Sequence, residues 1–350
     1  MDDAPKESYG ITITDLPRYA KVLTLGSLYT ENALKGEVIV QEKIDGSQFR
    51  FGFRDDGEFL MGTRKTQLFF KDQDGMFKEA IEYLESIEKK MRKEFQPGDF
   101  FFAEYLQKPK HNTLKYDRFP KNHLILFDAL IGGQWITDRK LLEKIARNLG
   151  VEIVPEIFRG TIEMTHDKDT GLKFMPQKGD WEDWFKQESI LGGETIEGVV
   201  IKNYDQHIEI YGSISPLITK VVREEFKERH SKNPDHKPQK QSIDAYLMSY
   251  KSEARWEKAI QHLAEEGKLE TSPRDIGALI KAIQNDIEEE CKEDIKEFLY
   301  KNYKRNLMAL SVRGFPEFYK NRLMERLNEG TSSRQNKKAS KRTGKRDNKK

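Results

Sequence analysis

Alternation of apolar and polar residues dominates the first two-thirds of the chain. Over residues 48–54, Phe49, Phe51 and Phe53 fall on one face and Gln48, Arg50, Gly52 and Arg54 on the other. That is the period-two signature of a strand. Asp56-Gly57 then predicts a tight primed hairpin turn, with a return strand over 58–63. Further strands are predicted at 38–42, 100–106, 123–130 and 197–203. A helix is predicted over 74–95, stopped by Gln96-Pro97-Gly98-Asp99. Strands mixed with helices in this order predict an α+β domain of antiparallel sheets, over residues 1–229.

The pattern changes after that. Residues 230–240 hold Pro234 and Pro238 but no large apolar residue, and read as a linker. Residues 241–330 show only helical spacing and predict a small all-α domain. Ser252 is placed to cap a helix carrying Trp256, Ile260 and Leu263, and Ser272-Pro273 to start another. Ile276, Leu279, Ile280 and Ile283, and later Ile295, Phe298, Leu299 and Tyr303, recur at helical spacing and are expected to be core. Residues 331–350 hold nine Lys/Arg and one Asp, a net +8, whereas the whole chain is only +2, so the rest is net −6. This tail is expected to be disordered, and is open to three readings: a solubilising end, a basic arm for nucleic acid, or a nuclear import signal.

Composition narrows the class. The 20 Phe, 13 Tyr and 4 Trp can build a core despite a high charged fraction. The single Cys291 makes no internal disulfide, and no Cys/His cluster has zinc spacing. These features, with an acidic N-terminus lacking an apolar run, lead to the expectation of an intracellular, cytoplasmic protein without a membrane span.

The chemistry starts at Lys43-Ile44-Asp45-Gly46. Alone, this is a strand-end turn with an incidental lysine. Its company changes the reading. Residues 101–105 place Glu104 on a strand, Glu197-Gly198-Val199-Val200-Ile201-Lys202 brackets an apolar strand with an acid and a lysine, and Lys220 follows. A lysine nucleophile must be neutral, and about 0.04% of an ordinary lysine is neutral at pH 7. Desolvation and nearby cations depress such a pKa, and Lys202 and Lys220 are the candidate cations.

These blocks, in this order over roughly residues 35–228, resemble the covalent nucleotidyltransferases: ATP-dependent DNA ligases, RNA ligases and mRNA capping enzymes. The resemblance implies an ATP-grasp-like ligase domain. It makes Lys43 the adenylylated nucleophile, Arg64 the arginine that meets phosphate, Glu104 the acid that holds the ribose hydroxyl and Phe127 the ring that stacks on the base. Glu197 becomes the acid that organises the metal, Mg2+ or Mn2+, and Lys202 and Lys220 the lysines near the α-phosphate. Each has a plainer reading: Glu104 as a strand carboxylate, Phe127 as core, Arg64 as a solvated hairpin residue. The last block often reads K-x-K, but here it is Lys220-Val221-Val222, so either Lys220 suffices or Arg223 substitutes.

DNA ligases and capping enzymes follow this domain with a β-barrel, whereas only helices follow here. Glu42-Lys43-Ile44 and the helical C-terminal part are similar to the bacteriophage RNA ligase 2 type, although several of those ligases have His in place of Asp45. The resemblance implies an ATP-dependent RNA ligase joining 5′-phosphate and 3′-hydroxyl ends, with RNA, a nicked duplex or an RNA–DNA hybrid as partner. The alternatives are a DNA-joining or capping member, or a non-enzymatic nucleic-acid-binding protein on a ligase fold. Every residue assigned to the pocket precedes the linker, so adenylylation is expected to need the first domain alone.

Overall fold

The structure is a computed structural model. It describes residues 16–27, 29–72, 74–162, 164–165, 175–176, 180–210, 213–223 and 243–324. The expected linker at 230–240 and basic tail at 331–350 lie outside the described residues.

The strands, in chain order, are β1 (Val22–Thr24), β2 (Glu37–Glu42), β3 (Ser47–Phe53), β4 (Phe59–Thr63), β5 (Gln67–Leu68), β6 (Phe100–Tyr105), β7 (Leu124–Ile131), β8 (Gln134–Trp135), β9 (Glu152–Ile153), β10 (Glu156–Thr161), β11 (Met164–Thr165), β12 (Met175–Pro176), β13 (Gly198–Ile210) and β14 (Ser213–Val222). They form a five-stranded sheet ordered β1-β14-β13-β2-β10, a seven-stranded sheet ordered β5-β4-β3-β6-β7-β8 with β9 on β7, and a separate β11-β12 pair. Pairing is antiparallel except for β1 with β14 and β7 with β9. The fold is thus the expected α+β class.

Phe49, Phe51 and Phe53 are buried in one cluster with Phe101, Ala103 and Leu126 of the same sheet. Helices α1 (Lys78–Glu94) and α2 (Arg139–Leu149) cover that face with Ile81, Leu84 and Met91, and with Leu142, Ile145 and Leu149. Asp138 caps α2 by accepting from Lys140 N and Leu141 N, and Gly150 closes it at a φ of 71°. The polar side of β3 does not face water. Arg50 is buried and donates to the carbonyls of Thr63 and Pro17 at 2.9 and 2.8 Å.

The hairpin after β3 differs from the expected primed turn. Gly57 alone of its residues takes positive φ, its N–H meets Arg54 O at 2.8 Å, and Arg54 N meets Glu58 O at 2.9 Å. This is a three-residue loop with glycine in the left-handed position, because Asp56 keeps negative φ.

Compact unit one comprises Met1–Glu290 and unit two Cys291–Lys350. Helices α3 (Asp180–Phe185), α4 (Ile243–Met248) and α5 (Glu253–Glu265) fall in the first unit with the sheets, so α4 and α5 are not in a separate domain beginning at 241. Ser252 caps α5 by accepting from Arg255 N. Ser272 and Asp275 form a capping box ahead of α6 (Ile276–Ser311), one continuous helix. The expectation that its apolar residues are core fails: none of them is buried, and Ile276, Ile280 and Tyr303 are 57%, 52% and 40% exposed. No described helix is long and apolar enough to cross a membrane.

Candidate active site

The chain crosses from one sheet to the other between β2 and β3, and Lys43-Ile44-Asp45-Gly46 is that crossing. Side chains alternate along a strand, and β2 pairs β13 with Val200 opposite Gln41 and Lys202 opposite Ile39, while Lys220 lies opposite Val200. The register therefore puts Lys43, Lys202 and Lys220 on one face of the five-stranded sheet. Lys43 N donates to Gly198 O at 2.9 Å, which brings the neighbouring Glu197 to the lysine. Lys43 Nζ lies 2.6 Å from Glu197 Oε2, with the lysine side chain 24% exposed.

Gly46 is required by close approach: a Cβ there would stand 2.8 Å from both Tyr105 O and Leu106 Cδ1, and 3.3 Å from Glu104 Oε2. Asp45 anchors the crossing. Its Oδ2 accepts from Thr113 N at 2.8 Å and Leu114 N at 2.7 Å, and its own N–H donates to Tyr116 Oη at 2.9 Å. Asn112 adds a bond to Gly46 O at 3.0 Å. The loop of residues 111–116, which carried no role in the sequence, is thus the clamp that fixes the motif.

Glu104 sits on β6 facing the crossing. Its Oε2 is buried and accepts no hydrogen bond among the described residues. Burial, reinforced by the charges of Glu265, Glu197 and Asp45 against the opposing pull of Lys43, pushes its carboxyl up to about 8. Phe127, next along the site, is the residue skipped where β6–β7 pairing shifts register, a bulge that re-aims the backbone. It packs with Ile44, Phe102 and Leu106, and Tyr19 meets it edge-on at 4.9 Å.

Lys202 goes to a different set of partners from Lys43. It is 1% exposed and donates to Phe127 O at 2.7 Å and Asp128 Oδ2 at 3.0 Å. Tyr19 and Tyr204 donate to the same carboxylate oxygen at 2.8 and 2.6 Å. The groups that act on Lys43 are instead Glu197, Asp45 and Glu104: burial alone lowers its pKa, but these carboxylates outweigh it and hold the ammonium above its ordinary range. These carboxylates, not Lys202 and Lys220, dominate the electrostatics around Lys43. Lys220 exerts its charge on Glu197, where burial raises the carboxyl and Lys43 and Lys220 oppose it.

Glu42 points into the protein, accepting from Ser189 Oγ at 2.5 Å and Ile190 N at 3.1 Å. It braces the segment that precedes Glu197. Val222 stands where a second lysine would follow Lys220 and is buried, while Arg223 braces Glu197 through its backbone N–H to Glu197 O at 3.0 Å. Arg64 reaches Glu290 Oε1 at 3.0 Å.

Helix α5 also reaches the crossing. Gln261 Nε2 donates to Gly46 O at 3.2 Å, and Ser47 Oγ donates to Glu265 Oε1 while lying 2.8 Å from His111 Nε2. Helical spacing carries no signal for this, because polar residues on an amphipathic helix read as its solvated face.

The RNA ligase family profile matches residues 36–222, which is more than half the chain and contains every strand that builds the site. The chain belongs to the RNA ligase family. Among solved structures, this RNA ligase family member is similar to the Naegleria gruberi RNA ligase with pyrophosphate, at 17% identity and a TM-score of 0.40, covering 62% of this chain and 58% of that one. It is also similar to the same ligase carrying AMP and manganese, at 16% identity and a TM-score of 0.41, covering 61% and 58%. A putative ATP-dependent DNA ligase from Aquifex aeolicus matches at 15% identity and a TM-score of 0.36, covering 84% and 76%. The chain spans 58% of the length of the Naegleria structures that it matches. No curated protein matches the chain.

Proposed function

We propose that this RNA ligase family member joins 5′-phosphate and 3′-hydroxyl RNA ends with ATP, through a covalent lysyl-AMP on Lys43. The observation that carries this reading is the pairing of Lys43 Nζ with Glu197 Oε2 at 2.6 Å, beside a buried Glu104 oxygen that has no hydrogen-bond partner among the described residues. A single buried acceptor left unsatisfied is costly, and a ribose hydroxyl is a donor that satisfies it. Gly46 leaves the backbone bare at the same place. These residues fit a nucleotide.

Lys43 must lose a proton before it attacks the α-phosphorus, forming the phosphorus–nitrogen bond as the bond to pyrophosphate breaks, and Glu197 Oε2 is placed to receive that proton. Burial makes that carboxylate a better base than an exposed one. Phe127 offers a ring to the base and Lys220 a cation to the phosphates. Lys202 acts from behind, fixing Phe127 through its carbonyl. Among the described residues no three acid, His or Cys groups converge as a metal cage. Mg2+ or Mn2+ would thus be held by Glu197 with phosphate oxygens, supplying charge neutralisation at the transferring phosphate. AMP then passes to a 5′-phosphate, and a 3′-hydroxyl attacks and expels it, with the protein supplying position and charge.

The test is strand joining. The full chain with ATP and Mg2+ is given nicked RNA duplex, nicked RNA–DNA hybrid and nicked DNA. Joining of 5′-phosphorylated RNA, absent with a 5′-hydroxyl, supports the reading. Joining of DNA alone, or covalent label from GTP and not ATP, replaces it by the DNA-joining or capping activity.

A further inference from the structure

One carboxylate in this molecule sits among cations that have a better-suited partner in phosphate. Glu290, on α6, has its two oxygens divided between a loop and helix α5: Oε1 lies 3.0 Å from Arg64 Nη2, and Oε2 lies 2.9 Å from Lys258 Nζ of α5. Lys220 is near enough to act on the same carboxylate. Burial would raise the Glu290 carboxyl, but Lys258, Arg64 and Lys220 together hold it well below its ordinary range. Strand register puts Lys220 on the sheet face that carries Lys43. Helix α5, which supplies Lys258, reaches the crossing through Gln261. His262 reports the same positive field: burial, then Lys258, Arg64 and Lys65, push its imidazole down to about 3, so it stays neutral and adds no competing charge.

We infer that Arg64, Lys258 and Lys220 form a phosphate subsite beside Lys43, and that Glu290 occupies it as an internal anion which phosphate displaces. The inference takes the site itself from the proposed ligase function, and adds Lys258 and Glu290 to it. A carboxylate bracketed oxygen by oxygen by an arginine and a lysine has the geometry that two phosphate oxygens reproduce, with a further oxygen for the third cation. Glu290 is also free to leave without dismantling the helix pair. Asp286, one turn earlier on the same face of α6, keeps its pairing with the buried Arg255 and its 3.0 Å contact with Lys258. The Glu290 side chain is itself 22% exposed, so an outward rotamer returns it to water.

The subsite and a purely structural ion pair predict opposite signs. In the full chain, Glu290→Gln removes the competitor and should bind inorganic tripolyphosphate tighter by calorimetry, by roughly 3- to 10-fold for loss of one charge at this distance. Lys258→Ala should weaken it by a similar factor, and Lys258→Arg should retain it. Melting curves establish that each variant is folded. Unchanged affinity in both Glu290→Gln and Lys258→Ala, or weakening in both, overturns the inference. Should Glu290→Gln not fold, Lys258→Ala against Lys258→Arg decides: equal affinity overturns it. Two further arms separate the source of the phosphate. A shift in half-saturation for ATP in Glu290→Gln assigns the subsite to the triphosphate. A shift confined to 5′-phosphorylated over 5′-hydroxyl RNA assigns it to the polynucleotide end, and a shift in neither overturns it. Tripolyphosphate binding does not depend on adenylylation. Opposite-sign variants in a protein that takes no AMP would therefore sink the ligase reading and leave the subsite standing.

Discussion

Replacing Lys202 by methionine separates two roles that its position allows. The Lys202 ammonium is 1% exposed and Asp128 is 0% exposed, so neither charge reaches water. Removing one member of a buried pair typically costs about 3–5 kcal/mol, because the other is left uncompensated. Here Asp128 keeps the hydroxyls of Tyr19 and Tyr204 at 2.8 and 2.6 Å, and Ala129 N at 3.0 Å. Those donors put the cost at the lower end, about 3 kcal/mol. At about 2–4 °C per kcal/mol for domains of 150–250 residues, and less for a larger unit, the melting temperature should fall by roughly 5–8 °C. The assay is calorimetric melting of wild type, Lys202→Met, Asp128→Asn and the double variant. The double variant strands no charge and should recover about 1–2 kcal/mol relative to the sum of the singles. Lys202→Met melting within 2 °C of wild type, while losing reaction with ATP, would refute the positioning role and make Lys202 a direct phosphate ligand.

Three further outcomes follow from the same geometry. Glu104 is raised to about 8 from 4.5, so the folded state holds a proton that the unfolded state has lost between those values, and stability attributable to this group falls as pH rises through that window. Glu104→Gln should therefore melt like wild type near pH 4.5 and above it past pH 8, with weaker nucleotide affinity; melting curves that run parallel across that range would refute it. Tyr116→Phe removes the acceptor for Asp45 N and should slow adenylylation about 10-fold through misplacement of Lys43, with the melting temperature little changed, as measured by single-turnover kinetics. Asp138→Ala removes the α2 cap and should cost about 1 kcal/mol in denaturant unfolding while leaving adenylylation intact.

The parts of the fold that were legible are those where one face of an element is buried under another. Phe49, Phe51 and Phe53 alternate visibly because α1 lies over them, and Ser252 and Ser272 announce helix starts through local caps. Arg50 was not legible as a buried residue, since its partners are backbone carbonyls that leave no trace in side-chain pattern. Helix α2 was missed, although Asp138, Gly150 and the spacing of Leu142, Ile145 and Leu149 mark it. Within the site, the motifs single out Lys43 and Glu197, and strand register brings them together. The clamp of Asp45 by residues 67 to 71 positions away, and the reach of Gln261 to Gly46 across 215, depend on tertiary packing that no local pattern encodes.

The central claim is the covalent intermediate. The full chain is incubated with ATP and Mg2+ without RNA, then digested under conditions that preserve phosphoramidates, and mapped by mass spectrometry. The expected result is one AMP per chain, on Lys43, lost when pyrophosphate is added back and absent from a folded Lys43→Arg variant. AMP on any other residue, or none on a protein shown to be folded and to bind ATP, would contradict it.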